Sequence, residues 1–173
     1  MSEKLKIAVC FFFFFLTFEK FAPILRVNML NKYNFDIFMH TWDKLNHNTL
    51  TWHANEFQKY DTNIDDITRS YGKLKKIEIE KQIPQDWGCA NFLVNYDATQ
   101  TSISIYGISA MFHSMSRVNK LRCDYEKENN IKYDYVICLR PDILLNRQFD
   151  ISSLLSTQDP KDIDNAVFTM ANP

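Results

Sequence analysis

The sequence predicts a single α/β domain spanning residues 1–173, with a mainly parallel sheet flanked by helices. Short apolar runs alternate with helical patterns along the chain, which is typical of this class. The first run, at 6–13, is apolar without alternation, as expected for a strand that is covered on both faces. Polar clusters also follow two of the runs, where open parallel sheets bind their ligands.

The further elements follow from periodicity. After the first strand, Thr17 can cap a helix whose apolar stripe reaches Met29. A helix at 101–128 has a first half that is apolar almost all round, so we expect that half to be buried and the second half to emerge into solvent. The stretch 41–72 is polar, with one short helix near 54–60, and 83–100 lacks periodicity and predicts a long loop. Further strands are predicted at 35–40, 75–80 (nearer an edge), 133–139 and 166–170.

Composition and charge exclude several classes of function. Hydrophobic residues at 46% and charged residues at 24% indicate a globular chain. A net charge of −1 provides no field for nucleic acid or an anionic membrane, so any anionic ligand must be held by a few local groups. Only 3 glycines are present, which argues against a glycine-rich phosphate cradle. We therefore expect no nucleic-acid partner.

The cysteines favour a reducing compartment. The chain has 4, with no C-x-x-C pair. Cys10 and Cys138 lie inside predicted strands, where a thiol behaves as a small hydrophobic group. The alternative is a disulfide framework or a zinc site.

The N-terminus imitates a secretory signal. Lys4 and Lys6 precede an apolar run at 7–16, but no small-x-small cleavage site follows. The run is also shorter than the roughly 20 residues needed to span a bilayer. We interpret it as a buried first strand, and we expect a cytoplasmic protein without a transmembrane segment.

Two polar clusters at strand ends carry the candidate chemistry. The first is Asp36-Ile-Phe-Met-His40-Thr41-Trp42-Asp43, and the second is Leu139-Arg140-Pro141-Asp142-Ile143-Leu144. The carboxyl ends of parallel strands meet at one edge of a sheet. The two clusters are therefore predicted to lie on the same edge.

The second cluster resembles a known turn. The run from Tyr135 to Leu144, YVICLRPDIL, resembles the strand and Asp-x-Asp turn of GT-A glycosyltransferases, with Arg140 at the position of the first acid. Together with the first cluster, it makes residues 6–149 similar to bacterial surface-polysaccharide proteins regarded as glycosyltransferases of capsule or lipooligosaccharide clusters. The resemblance implies a GT-A-like, Rossmann-like domain that binds a nucleotide sugar and transfers the sugar to a glycan acceptor. It also implies Mn²⁺ or Mg²⁺ as cofactor, with Asp142 as the metal ligand.

The resemblance assigns roles to the second cluster. Arg140 cannot bind a metal, but its planar guanidinium can hold a diphosphate through two hydrogen bonds. Asp142 would then bind the metal, a ribose hydroxyl or a sugar hydroxyl. The alternative is that Arg140 and Asp142 simply pair beside a turn fixed by Pro141.

The first cluster would contact the rest of the donor. The resemblance puts His40, Thr41 and Asp43 against the base, the ribose or the donor sugar, with a hydrogen-bonded structural role as the alternative for His40. Trp42 would stack on a ring or close the core. Thr17 is the remaining match in a loop where the similar proteins carry a Gly-x-x-Arg-Thr pattern, and it is a further nucleotide-sugar candidate.

Weaker candidates lie elsewhere. The predicted helix carries polar residues that are interpreted as a solvated face, with approach of its cations to a diphosphate as the alternative: Ser114, Ser116, Arg117 and Lys120. His47, His53 and His113 show no metal-ligand spacing with one another. The catalytic residues are not identified, and Asp97 is only a guess for the base. No nucleophile elbow, phosphate-binding loop or dinucleotide fingerprint is present.

Three functions follow. The leading hypothesis is a glycosyltransferase-like protein of bacterial surface-polysaccharide synthesis. A second is a non-catalytic GT-A-like domain that binds a partner protein or a glycan. This is favoured by the altered first loop and by a chain that continues only about thirty residues past the motif, so that the fold is expected to be truncated at the C-terminus. A third is transfer of another activated group in capsule modification.

Overall fold

The structure, a computed structural model, describes residues 5–12, 18–44, 61–72, 74–81, 93–95 and 102–156. Helices and strands alternate through most of these segments. In chain order they are β1 (Ile7–Phe11), α1 (Phe18–Leu25), β2 (Phe35–Trp42), α2 (Ile64–Tyr71), β3 (Leu74–Glu80), β4 (Leu93–Asn95), β5 (Ser102–Ser104), α3 (Ile105–Asn129), β6 (Tyr135–Leu139) and α4 (Ile151–Ser156).

Four of the strands form a parallel sheet in the order β3-β2-β1-β6. The chain builds outward from β1 through β2 to β3, and then returns to pair β6 with the other side of β1. All five residues of β1 are buried, as expected for a strand that is covered on both faces. The α/β class and the parallel sheet predicted from the sequence are confirmed, and β3 lies at the edge of this sheet, as its alternating pattern predicted.

Helices cover the sheet on both faces. On one face α1 and α2 pack on the first apolar cluster, which includes Val9, Phe11, Met39, Leu139, Ala22, Leu25, Ile67 and Tyr71. On the other face α3 packs on the second cluster, which includes Ala8, Cys10, Phe38, Val118 and Tyr133. The connections from β1 to β2 and from β2 to β3 advance in one direction across the sheet and pass over one face. The connection from β3 to β6 runs in the opposite direction and passes over the other face. All three connections therefore have the same handedness. This is the doubly wound arrangement of Rossmann-like folds.

Helix α1 passes directly into a π-helical turn at Arg26–Leu30. Pro23 is the sixth residue of α1, beyond the first turn, where its missing N–H removes a hydrogen bond to the preceding turn. The buried stripe nevertheless continues from Phe18 through Leu25 to Met29, as the sequence predicted.

Helix α3 is buried on one side only. Ala110, Ser114 and Val118 face the sheet and are buried, whereas Ile108 is 40% and Phe112 60% exposed. The prediction that the first half of this helix is buried all round is therefore wrong, because only one of its faces contacts the sheet. Among the helices of the described residues, none has an apolar stretch long enough to cross a bilayer.

Helix α2 lies in the stretch from which the sequence predicted only a helix near 54–60. Asn63 caps it, since its side-chain oxygen accepts a hydrogen bond of 2.8 Å from the backbone N–H of Asp65. Gly72 ends it at φ 91°, a conformation that favours glycine. The predicted helix at 54–60 and the predicted strand at 166–170 lie outside the described residues. The predicted loop at 83–100 includes β4, which pairs antiparallel with β5.

Two cysteines lie side by side at the boundary of β1 and β6. Cys10 and Cys138 are register partners, and Cys10 is fully buried whereas Cys138 is exposed at the edge of the sheet. A hydrogen bond from the Cys10 thiol lowers the pKa of Cys138 to about 7. The same contact, together with burial, raises the pKa of Cys10. Cys138 is therefore the reactive member of the pair.

We expect alkylation of Cys138 by iodoacetamide to reach half its maximal rate near pH 7, since the thiolate is the nucleophile. Peptide mapping by mass spectrometry across a pH series measures this rate. In Cys10→Ala the donor is lost, so the midpoint should move towards the value of a free thiol, about 8.5. Identical midpoints in the wild type and in Cys10→Ala would contradict the hydrogen bond.

Candidate functional site

The two predicted clusters lie at the same end of the sheet, where the parallel strands have their carboxyl ends. Met39, Phe11 and Leu139 are level in the register, so His40 and Arg140 follow at the same height on either side of Phe12. The backbone N–H of Phe12 donates to the carbonyl oxygen of Leu139 at 3.2 Å, which continues the pairing of β1 and β6. Two strand spacings, about 10 Å, separate the two clusters. The two clusters therefore lie at the same end of the strands, on either side of Phe12.

The second cluster occupies the position where the strand order reverses. β1 pairs with β2 on one side and with β6 on the other, so the helices that follow β1 and precede β6 lie on opposite faces. Open α/β sheets bind ligands in the crevice outside the carboxyl ends of two such strands. Arg140 follows β6 directly and so lies at the carboxyl end of this strand. Thr17, predicted to approach this crevice from the loop after β1, lies outside the described residues.

Arg140 and Asp142 form a bidentate pair. The Arg140 Nε donates to Asp142 Oδ1 at 3.0 Å, and a terminal guanidinium nitrogen donates to Oδ2 at 2.6 Å. The Arg140 side chain is 47% exposed and that of Asp142 21% exposed. This is the geometry expected if Arg140 and Asp142 simply pair beside the turn, the alternative to ligand binding that the sequence leaves open. Both carboxylate oxygens that would bind a metal accept hydrogen bonds from Arg140 in this arrangement.

The turn that carries this pair is held from the opposite side by α2. Pro141 is buried, and its carbonyl oxygen accepts a 2.9 Å hydrogen bond from the hydroxyl of Tyr71. Burial raises the pKa of Tyr71, so its hydroxyl keeps its proton and remains a donor. The Tyr71 ring lies 4.7 Å from that of Phe11, in the core. The guanidinium is thus exposed on a turn whose backbone is fixed.

The end of β2 is more deeply buried than the sequence predicted for a ligand contact. His40 and Thr41 are both fully buried, and successive strand residues point to opposite faces. The Thr41 hydroxyl has no hydrogen-bond partner within the described part of the chain. In this arrangement neither side chain reaches solvent. A nucleotide sugar could therefore contact them only after a local rearrangement.

Asp43 is held through its backbone between β3 and the segment that precedes α2. Its N–H donates to the carbonyl oxygen of Glu80 at 2.8 Å, and its carbonyl accepts from the N–H of Thr62 at 2.9 Å. The Thr62 hydroxyl donates to the carbonyl oxygen of Trp42 at 2.6 Å. Asp43 is half-buried, and its backbone position at the edge of the sheet is therefore fixed.

His40 belongs to a polar cluster that the sequence analysis missed. Its Nδ1 lies 2.8 Å from Ser114 Oγ, and its Nε2 lies 3.1 Å from Glu80 Oε2. Nε2 of His113, on α3, lies 2.8 Å from the same Glu80 oxygen. Burial lowers the pKa of His40, so its imidazole is neutral at neutral pH. One nitrogen from each histidine and one Glu80 oxygen all lie within 4.8 Å of one another, so these side chains are candidate metal ligands.

Trp42 completes the wall of this cluster. Its ring stacks on His113 with centroids 5.7 Å apart and an interplanar angle of 21°. It meets His40 edge to face at 5.5 Å. Trp42 is 3% exposed, which fits the alternative that it closes the core.

The remaining polar residues of α3 follow the predicted solvated face only in part. Ser116 and Lys120 are exposed, as predicted for a solvated face, and Lys120 pairs with Asp124. Ser114 is buried instead, because it faces His40 on β2. Arg117 forms a bidentate pair with Glu78, so its charge is compensated by β3.

Comparison with known proteins identifies no relative. The chain matches no protein-family model, no curated protein and no solved structure. Its function is therefore inferred from its own residues and from the motifs described above.

Proposed function

We propose that this chain is a GT-A-like domain that binds a nucleotide-activated sugar at the carboxyl edge of its sheet and transfers the sugar to a glycan hydroxyl. The observation that carries the proposal is the position of Arg140. It follows β6 beside β1, where the strand order of a parallel sheet reverses. The resemblance of the two strand-end motifs to those of surface-polysaccharide glycosyltransferases supports the same function.

Arg140 would hold the diphosphate of the donor. Its side chain is about half exposed and already presents two donors to a carboxylate, which is the geometry that a phosphate also accepts. Phosphate oxygens can replace the Asp142 carboxylate at the guanidinium. The fixed positive charge would then stabilise the leaving diphosphate as the bond to the sugar breaks.

Asp142 would be released by the same exchange. One carboxylate together with substrate phosphates is a donor set that Mg²⁺ and Mn²⁺ accept. Asp142 would hold such an ion against the diphosphate, or accept a hydrogen bond from a sugar hydroxyl. A bound divalent ion supplies charge stabilisation of the phosphate oxygens. The Tyr71–Pro141 hydrogen bond keeps the turn in place while the side chains change partners.

A non-catalytic domain is the second candidate. It is favoured by the closed Arg140–Asp142 pair and by the burial of His40 and Thr41, which remove predicted ligand contacts from the surface. Such a domain would keep the sheet and its edge but would bind a partner protein or a glycan instead of a nucleotide.

A thermal-shift panel separates the two. The wild-type chain is melted with UDP-, GDP-, CMP- and dTDP-sugars and with the free nucleoside diphosphates, with and without Mn²⁺. A ligand at a hundred times its Kd stabilises by about 2.7 kcal/mol, which corresponds to an increase in Tm of about 5–10 °C for a chain of this size. We expect one nucleotide class to give a saturable increase of this order. No shift with any donor or diphosphate would overturn the glycosyltransferase proposal and leave the non-catalytic domain.

A further inference from the structure

Three side chains from three different elements converge on one point between α3 and the sheet. His40 lies near the end of β2, Glu80 is the last residue of β3, and His113 lies on α3. We propose that these three side chains bind a divalent transition-metal ion, Zn²⁺ by their chemistry. This site is separate from the Arg140–Asp142 pair, which lies on the other side of Phe12.

The distances suit a small tetrahedral ion. Zinc bonds of about 2.0–2.1 Å to nitrogen and oxygen place tetrahedral ligand atoms about 3.3 Å apart. The Glu80 Oε2 atom lies 3.1 Å from His40 Nε2 and 2.8 Å from His113 Nε2. The ligand nitrogens of the two histidines lie within 4.8 Å of each other, so they need to approach by no more than about 1.5 Å to share one ion.

Ser114 allows His40 to become a ligand. The Ser114 hydroxyl lies 2.8 Å from His40 Nδ1 and 3.5 Å from the carbonyl oxygen of the same residue. If the hydroxyl donates to that carbonyl, it accepts from Nδ1–H and leaves Nε2 with a free lone pair that faces the ion. If it donates to Nδ1, Nε2–H instead donates to Glu80. Metal-binding histidines commonly have their second nitrogen fixed by such a partner.

The ligand set and its surroundings favour zinc over magnesium or calcium. Two imidazoles and one carboxylate suit Zn²⁺, and the same set with an open fourth position occurs in zinc enzymes. The nearest cation on α3, Arg117, is bound by Glu78. Glu80 supplies the one carboxylate of this ligand set.

Access to the site is one-sided. The His40 side chain is 0% exposed, whereas those of Glu80 and His113 are 25% and 24% exposed. The stacked Trp42 ring holds His113 in orientation from the buried side. An ion can reach the two partly exposed ligands from solvent and then engage His40, which leaves a fourth position for water or a ligand group.

Direct titration tests the site on the full chain. The protein is treated with EDTA, desalted, and titrated with Zn²⁺ by calorimetry and with Co²⁺ by visible absorption, without nucleotide. We expect one ion per chain and a tetrahedral cobalt spectrum. His113→Ala and Glu80→Gln should each weaken Zn²⁺ binding by at least about a hundredfold, and Ser114→Ala by about 10–100-fold, since it removes only the supporting contact.

Matched controls separate the site from general surface binding. Glu128→Gln makes the same chemical change on α3, at an exposed carboxylate that pairs with Lys76, and should bind Zn²⁺ as the wild type does. Arg140→Ala should also bind normally, so failure of the glycosyltransferase proposal leaves this result unaffected. Thermal melting checks the fold of His113→Ala and Glu80→Gln, and either variant that folds is sufficient for the test.

Two outcomes would overturn the proposal. One is that the wild-type chain binds no Zn²⁺ or Co²⁺. The other is that His113→Ala or Glu80→Gln, once folded, binds as tightly as the wild type. In either case Glu80 serves only as a hydrogen-bond acceptor between two histidines.

Discussion

Phe11→Ala is expected to lower the free energy of unfolding by about 3–5 kcal/mol. Phe11 is fully buried and ends β1, the strand that pairs with both β2 and β6. Its ring packs 4.7 Å from that of Tyr71, within the cluster that joins the sheet to α1 and α2. Removing the ring loses the free energy gained by burying a large apolar group away from water. It also leaves a cavity that the paired strands cannot close.

Chemical denaturation of the variant and the wild type measures this loss. Phe112→Ala is the matched control, because Phe112 is 60% exposed on α3 and its removal should change stability by no more than about 0.5 kcal/mol. A loss below about 1.5 kcal/mol for Phe11→Ala would be too small for a core phenylalanine, and would contradict the central position of β1.

Arg140→Ala is expected to weaken binding of the stabilising nucleotide sugar by about ten- to a hundredfold. The reason is that a charge-assisted hydrogen-bonding contact contributes about 1.5–3 kcal/mol. Arg140→Lys should lose most of the same affinity, since a single ammonium cannot reproduce the planar pair of donors. Stability should change little, because the pair with Asp142 is partly exposed and such pairs contribute about 0–1 kcal/mol.

Calorimetric titration with the nucleotide selected by the thermal-shift panel gives the affinities. Arg147→Ala serves as the control, since Arg147 is an exposed arginine of the segment that follows the Arg140 turn. If Arg140→Ala has a clearly lower Tm but binds the nucleotide sugar as tightly as the wild type, Arg140 has a structural role instead.

The sequence by itself determined the elements whose patterning is local. The unbroken apolar run of β1 predicted a strand covered on both faces, and the alternating run of β3 predicted an edge. The long helix α3 and the two polar strand ends were also visible, because each depends only on residues near in sequence. Helix α2 has the same local signals, with Asn63 as cap, two acidic residues in its first turn and Gly72 at its end, but it lies in a polar stretch with little apolar periodicity.

Only the tertiary structure decided which of these residues meet. The exposure of Phe112 and the burial of Ser114 depend on the one face of α3 that contacts the sheet. His113 joins His40 and Glu80 because α3 crosses β2 and β3, and the chain separates His40 from Ser114 by 74 residues. Arg140 and Thr41 are both polar and both end strands, yet one is exposed and the other fully buried. The physical reason is that burial and ligand geometry depend on which elements pack together, and spacing along the chain carries no record of that packing.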